Sequence, residues 1–204
     1  PKRGRETWRQ RLKRPRQSQC WTAALDQTPS PPPGSQWIFM ADREADFYEP
    51  IEHCQGRGVD FIIRSYRDRA QTDAPEHLKQ AARQLPVRGT MTVELRARAG
   101  AAARTATVQV RSGRLTLKGP ERPGEAKPAF TVNVVAAREL NAPPGVAALH
   151  WTLLTSLPCE RWAEAQRIVG RYTARWWIEE YHKALKSGAG VEDSQLEAAY
   201  RIET

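Results

Sequence analysis

Two short apolar runs on either side of a helical segment constrain the fold of this chain more than any other feature. Residues 37–41 form one run and residues 59–64 contain the second. Continuous apolar runs of this length are typical of strands buried on both faces. Between them, apolar residues from Ala45 to Ile51 recur at the spacing of one helix face. A strand, a helix and a second strand in this order form the unit of a parallel sheet, so an α/β fold is predicted.

The rest of the chain changes its hydrophobic period twice. Between residues 87 and 156, segments in which apolar and polar residues alternate are separated by glycines, which predicts antiparallel strands. A hairpin turn is predicted at residues 111–114. After Pro158 a helical period predicts one long helix to about Ser187, ended by Gly188. Residues 5–26 carry a weaker helical pattern that Pro15 interrupts, and a proline-rich loop follows it.

Charge and cysteine content narrow the class of protein. The 204 residues include 32 Lys and Arg against 23 Asp and Glu, a net charge of +9, which favours a polyanionic partner over a merely soluble basic protein. Cys20, Cys54 and Cys159 are odd in number and far apart, so we expect reduced thiols rather than disulfides or a zinc site. Neither a membrane span nor a signal peptide is predicted, and a cytoplasmic location is therefore expected.

The final predicted helix carries a polar stripe. Its members are Tyr172, Arg175, Glu179, Lys183 and Lys186, and their spacings of three, four, four and three residues place them on one helix face. A solvated face with ordinary ion pairs explains this pattern. The alternative is a carboxylate among cations and a phenol, which suits a metal ion held beside phosphates.

A second candidate carboxylate is Asp42, which follows the first apolar run. The carboxyl ends of strands in α/β sheets are common places for ligand-binding groups. Asp42 could equally cap a short helix that begins after it. If Asp42 and Glu179 share a metal site, their carboxylates should lie roughly 4–8 Å apart.

The residues around these two carboxylates resemble those of a known family. Residues 41–46, Ala-Asp-Arg-Glu-Ala-Asp, and the series Tyr172, Arg175, Glu179 and Lys186 resemble the DDE transposases of the insertion-sequence-four family. In that family the helix signature is Tyr, two residues, Arg, three residues, Glu, six residues, Lys. The similarity extends from about residue 36 to residue 191.

The resemblance implies a fold and an organisation. It implies an α/β, ribonuclease-H-like core, incomplete at its amino-terminal end, with an inserted antiparallel β subdomain. Residues 1–35 would be a helix and a proline-rich loop, and residues 36–86 the first part of the core. Residues 87–156 would be the β subdomain, and residues 157–204 the catalytic helix with a truncated carboxy-terminal part.

The resemblance also implies a chemistry. Asp42 and Glu179 would be the second and third metal carboxylates, holding two Mg²⁺ or Mn²⁺ ions for strand cleavage, hairpin formation and strand transfer at transposon ends. The partners would be double-stranded DNA, as transposon end and as target, and a second subunit in a full-length homodimer of a bacterial, nucleoid-associated enzyme.

Six further residues take DNA-binding roles only through the resemblance. Arg64 corresponds to an arginine that contacts DNA, and Trp151 to a tryptophan that stacks on a flipped base. Both also have ordinary explanations, as a strand-end charge and as a core residue. Tyr172 and Arg175 would hold phosphates near the scissile bond, and Lys183 and Lys186 the backbone of the transposon end.

One departure from the family leaves alternatives open. The first Asp of the triad should end an earlier strand, and Asp26, which precedes the proline-rich loop, does not fit that position. We therefore expect this chain alone to lack strand-transfer activity. The alternatives are a catalytically dead remnant that binds DNA or inhibits an intact transposase, and a related nuclease of the same fold.

Overall fold

A computed structural model describes residues 17–97, 102–122 and 125–188 of the chain. Its helices are α1 (Gln17–Gln27), α2 (Tyr48–Arg57), α3 (Leu78–Gln84), α4 (Trp162–Ala174) and α5 (Trp176–Gly188), with a 3-10 turn at Arg43–Ala45. Its strands are β1 (Ile38–Ala41), β2 (Asp60–Arg64), β3 (Val87–Leu95), β4 (Arg104–Leu117), β5 (Glu121–Arg122), β6 (Glu125–Ala126), β7 (Phe130–Glu139) and β8 (His150–Thr155). The predicted α/β class is confirmed.

Six of these strands form one mixed sheet in the order β1-β2-β8-β7-β4-β3. The pair β1 and β2 is parallel, as the strand-helix-strand pattern predicts, and every other neighbouring pair is antiparallel. The strands between residues 87 and 156 are thus hydrogen-bonded into the same sheet as β1 and β2. The proposed division of the chain into domains stays a prediction.

The sheet has a hydrophobic core on each face. The core that includes Ile51, Phe61, Leu78 and Val134 lies on the side of α2 and α3. The core that includes Ile62, Val135, Leu153 and Ile168 lies on the side of α4. β2 is buried on both faces, as its apolar run predicts, whereas β1 lies at an edge of the described sheet and only Ala41 in it is fully buried.

Two local predictions are wrong. Residues 111–114 do not turn but lie within β4, where Gly113 leaves room for Leu85, whose Cδ2 would be 2.7 Å from an added Cβ. The long final helix is interrupted at Arg175, because the Arg175 amide donates to the Tyr172 carbonyl, and the Ile178 amide donates to the Arg175 carbonyl, over three residues instead of four. The predicted hairpin and the single helix are replaced by one long strand and two helices.

The helix predicted for residues 5–26 is confirmed only in its second half. α1 confirms helical structure from Gln17 onward, and the earlier residues with Pro15 lie outside the described residues. Asp26 in α1 contacts His53 Nε2 at 2.9 Å, and Arg57 lies 3.5 Å away, so its carboxylate is engaged where α1 meets α2. Within the described ranges, no helix is long and apolar enough for a membrane span. The three cysteines are free thiols, and Cys54 and Cys159 are buried.

Candidate functional site

Asp42 lies directly after β1, at the start of the 3-10 turn. Its extended backbone lets Oδ1 accept a hydrogen bond from the Glu44 amide at 2.9 Å, which is a helix cap. The side chain remains 39% exposed, and Oδ2 faces Arg175. The cap therefore occupies one carboxylate oxygen and leaves the other directed towards the polar stripe of the final helices.

Arg175 connects Asp42 to Glu179. At the interruption between α4 and α5, its Nη2 donates to Glu179 Oε1 at 2.7 Å, while Nη1 lies 3.9 Å from Asp42 Oδ2. Because both carboxylates contact one planar guanidinium, their nearest oxygens are at most about 9 Å apart. The fold thus brings together two carboxylates that are distant in the sequence.

Tyr172 and Arg64 lie beside this triplet and are partly or fully withdrawn from water. Burial raises the pKa of Tyr172, against the opposing charges of Arg64 and Arg175. Burial also lowers the pKa of Arg64, and the nearby Arg43 adds to that effect. The phenol therefore keeps its proton at neutral pH and is able to donate a hydrogen bond.

The ionisation of Arg175 itself depends on the carboxylates. Burial is the largest influence on its pKa and lowers it, but the hydrogen bond to Glu179 and the charges of Glu179 and Asp42 raise the pKa on balance. Arg175 is consequently a permanent cation that neutralises part of the charge of both carboxylates.

These side chains open onto a cleft of about 620 Å³. Asp42, Arg64, Trp151, Tyr172 and Arg175 line it. Its other described lining residues include Arg43, Arg96, Arg104 and Trp176. Five arginines line the described walls, and three of them, Arg96, Arg104 and Arg175, have carboxylate partners in Glu180, Glu139 and Glu179. Arg43 and Arg64 form no ion pair with a carboxylate among the described residues, which favours an anionic ligand in the cleft.

Trp151 borders the cleft but is packed into the core. Only 6% of the residue is exposed, and its indole meets the Tyr172 ring edge-on with centroids 5.0 Å apart. In this arrangement Trp151 supports Tyr172. Its role as a platform for a flipped base stays a prediction.

Three predicted residues, Glu179, Lys183 and Lys186, do not line the cleft. Glu179 lies beside it through its contact with Arg175, and the two lysines lie further out. Both lie on the exposed surface of α5, beyond Glu179 and further along the helix. The helical stripe is therefore divided between a part inside the cleft, Tyr172 and Arg175, and a part on the open surface. Their predicted contact with a DNA backbone stays a prediction.

Three arginines of the cleft, Arg43, Arg96 and Arg104, are not predicted from the sequence. Arg43 follows Asp42 directly and could have been noticed from that position. Arg96 follows β3 and Arg104 begins β4, and their strands are paired so that Leu95 faces Arg104. Spacing along the chain offered no signal for these two, because strand pairing alone brings them to the cleft.

Asp42 in the cleft and Glu179 beside it fit part of a divalent metal site. Asp42 and Glu179 offer partly exposed hard oxygen ligands, the kind that Mg²⁺ and Mn²⁺ prefer. In the part of the chain that the structure describes, no three His, Cys, Asp or Glu side chains gather closely enough to hold a metal ion by themselves. Water, phosphate or residues outside that part would have to complete the coordination.

Comparison with protein-family models identifies one match. The family described as "Transposase DDE domain" matches residues 15–203, which is nearly the whole chain. The six-stranded mixed sheet with helices on both faces is consistent with the ribonuclease-H-like fold of such a domain.

Proposed function

Because this chain belongs to the DDE transposase family, we propose that the arginine-lined cleft between β1 and α5 is its DNA phosphoryl-transfer site. The proposed reaction comprises strand cleavage, hairpin formation and strand transfer at transposon ends in cut-and-paste transposition. We further propose that the protein belongs to the insertion-sequence-four branch, on the basis of the Tyr172, Arg175, Glu179 and Lys186 series and the residues around Asp42.

One observation carries this proposal: the guanidinium of Arg175, in the wall of an arginine-lined cleft, contacts the carboxylates of both Asp42 in the cleft and Glu179 beside it. A solvated helix stripe explains the contact between Arg175 and Glu179, and a helix cap explains the position of Asp42. Neither explanation requires the two carboxylates to share a partner. A shared metal site requires the two carboxylates to lie close together, and the common contact with Arg175 keeps them within about 9 Å of each other.

Each side chain has a proposed task on the substrate. DDE transposases generally use divalent metal ions, which stabilise the charge of the transferred phosphoryl group and lower the pKa of attacking water. Asp42 and Glu179 would supply oxygen ligands for two such ions. Arg175 would keep these carboxylates facing each other, and Arg64 would bind phosphate oxygens. Tyr172, whose phenol keeps its proton at neutral pH, would donate a hydrogen bond to phosphate.

A Mn²⁺ titration of the intact chain tests the site directly. We expect D42N and E179Q each to weaken Mn²⁺ binding at least about tenfold, because each removes a charged ligand. Glu160→Gln is the matched control, since Glu160 is exposed, precedes α4 and does not line the cleft. Equal Mn²⁺ affinity in all four proteins would contradict the shared metal site.

DNA cleavage by the same proteins separates an enzyme from a DNA-binding relative. The second candidate, a non-catalytic DNA binder, is favoured by the lack of a third acidic ligand beside Asp42 and Glu179 among the described residues. Manganese-dependent nicking of labelled transposon-end duplex, lost in D42N and E179Q but kept in E160Q, would support the enzyme. DNA binding with neither nicking nor Mn²⁺ binding in any of the four would support the second candidate.

A further inference from the structure

A second group of basic side chains lies on the sheet face opposite to the cleft. We call Lys79, Arg83, Arg111, Arg138 and His150 the α3-side cluster. Arg138 pairs in register with His150 on β8, and Arg111 pairs with Ala136 on β7. Arg138 lies two residues beyond Ala136 and four beyond Val134, which pack into the core under α3. The strands therefore direct the cluster to the α3 side of the sheet.

Four of the five members of this cluster border one small depression. A cavity of about 80 Å³ is bounded by Arg83 of α3, Arg111 of β4, Arg138 of β7 and His150 of β8. Arg83, Arg138 and His150 are exposed, and so is Lys79 one turn before Arg83. Arg111 is held in place by donating to the Leu85 carbonyl at 2.8 Å and to Gln109 Oε1 at 3.1 Å.

One carboxylate lies close to the cluster, since Asp68 Oδ1 accepts a hydrogen bond from the Lys79 backbone amide at 2.8 Å. Within the described ranges, no carboxylate forms an ion pair with Lys79, Arg83, Arg111 or Arg138. Although His150 reaches the surface, partial desolvation lowers its pKa, and the nearby charges of Arg83, Arg138, Arg64 and Lys79 lower it further. Like charges repel at this density, and a bound polyanion would relieve the repulsion.

The cluster adjoins the cleft around the amino-terminal end of β8. The neighbouring residues His150 and Trp151 point to opposite faces of the sheet, His150 into the cluster and Trp151 to the cleft. Arg64 lines the cleft, and its Nη2 donates to the His150 carbonyl at 3.3 Å. A phosphate backbone that leaves the cleft past Arg64 would therefore meet His150 and Arg138 next.

We propose that the α3-side cluster is a second phosphate-contacting surface, which binds the duplex DNA that continues beyond the cleft. The proposal rests on the proposed function in one respect, since it takes DNA as the ligand of the cleft. Its contacts would be sequence-independent, because arginine and lysine groups on an open surface bind phosphates rather than base edges.

The test compares two double variants of equal charge by fluorescence anisotropy with labelled duplex. R83Q/R138Q removes two exposed cations of the cluster. R114Q/R167Q is the control, because Arg114 and Arg167 are also exposed. Arg114 lies on the α4 side of the sheet and Arg167 on α4 itself, and neither lines the cleft. Circular dichroism melts of both variants establish that they fold.

For a duplex of about 30 base pairs, we expect R83Q/R138Q to lower the affinity several-fold and to reduce the slope of log affinity against log salt by about two units. For a duplex of about 10 base pairs, which offers fewer phosphates, we expect the same changes to a smaller degree. The control should bind both duplexes as the unsubstituted chain does.

Three results would overturn the proposal. An unchanged salt slope in R83Q/R138Q on the long duplex would show that the cluster does not contact phosphates. An equal loss in the control would show that only net charge matters. If neither the unsubstituted chain nor either variant binds a duplex, DNA is not the ligand, and the part of the proposed function that concerns DNA fails too. Mn²⁺ binding by the same proteins would still support the metal site.

Discussion

Three acidic residues within five positions, Asp42, Glu44 and Asp46, have different tasks because of their surroundings. Asp42 faces the cleft and Glu44 is exposed, whereas Asp46 is only 1% exposed. The Oδ2 of Asp46 accepts hydrogen bonds from the amides of Tyr66 and Arg67, both at 2.7 Å, and its Oδ1 lies 2.6 Å from Arg69 Nη1. Asp46 thus holds the loop that follows β2, next to Arg64.

We expect Asp46→Asn to lower the free energy of unfolding by about 3–5 kcal/mol, because it leaves the largely buried guanidinium of Arg69 without its counter-charge. Glu44→Gln, two residues away and exposed, should change the same quantity by no more than about 0.5 kcal/mol. Urea unfolding followed by tryptophan fluorescence measures both. Similar losses in the two variants would contradict the assigned role of Asp46.

A buried carboxylate near the cleft predicts a pH dependence. Glu139 accepts from Arg104 Nη2 at 2.8 Å and from the Leu149 amide at 2.8 Å. The hydrogen bond from Arg104 is the main cause that lowers the pKa of Glu139 below its ordinary 4.5, although burial opposes it. The stabilisation is therefore fully present above pH 4.5 and is lost as the pH falls through the lowered pKa.

The expected outcome for Glu139→Gln is a lower free energy of unfolding near neutral pH and a weaker decline of that energy below pH 4.5. Unfolding by urea over a pH series measures the decline. Glu160→Gln should keep the decline of the unsubstituted chain, since Glu160 is exposed. A decline in E139Q as steep as in the unsubstituted chain would assign the acid sensitivity to other groups.

At the scale of elements, the interruption at Arg175 determines the geometry of the site. α4 packs on the sheet through Ile168, Val169 and Tyr172, while α5 carries Glu179 on a largely exposed helix. The two helices meet at Arg175, whose side chain turns towards β1. The cleft is thus built where a buried helix passes into an exposed one.

Two glycines, Gly119 in a loop and Gly170 in a helix, provide a matched pair of predictions. A Cβ at Gly119, after β4, would overlap with the carbonyl oxygens of Lys127 and Pro128, and backbone cannot yield as a side chain can. A Cβ at Gly170, inside α4, would meet nothing within 4 Å.

We expect Gly119→Ala to destabilise the fold by about 1–3 kcal/mol through this overlap. Gly170→Ala should stabilise the fold by up to about 1 kcal/mol, because alanine favours the helix. Thermal melting of the two variants should shift in opposite directions. A shift of the same sign in both would refute the local packing described here.

At the scale of the whole molecule, positive charge lies on both faces of one sheet. Arginines dominate the described lining of the cleft on the α4 side, and the α3-side cluster lies across the sheet from it. Several of the basic residues that give the chain its net charge of +9 therefore lie near the amino-terminal end of β8.

This distribution predicts strongly salt-dependent binding of duplex DNA without sequence preference. Between about 50 and 200 mM salt, we expect the affinity of the chain to fall about a thousandfold or more, the loss that accompanies six or more neutralised phosphates. Anisotropy titrations with two duplexes of unrelated sequence measure this fall. Salt-insensitive binding, or no binding at low salt, would contradict the basic surfaces.

Local patterns were sufficient for part of the fold and of the site. The apolar runs and the helical period between them predicted β1, α2 and β2, and with them the position of Asp42 after a strand. The spacing of Arg175 and Glu179 predicted their contact, because four residues bring side chains together on any helix. Hydrophobic periodicity indicates which face of a single segment is buried. It is sufficient for these features because each of them depends on one segment only.

The sequence by itself therefore determined the α/β class, the parallel pair of strands and the two candidate carboxylates. Only the tertiary structure decided that Gly113 lies within a strand, that the final helix divides at Arg175, and that Arg96 and Arg104 join the cleft. It also decided that Asp42 and Glu179 share one guanidinium. These features depend on which distant segments pack together. Side-chain shape and burial across the whole core select that packing, and the spacing of residues along the chain does not predict it.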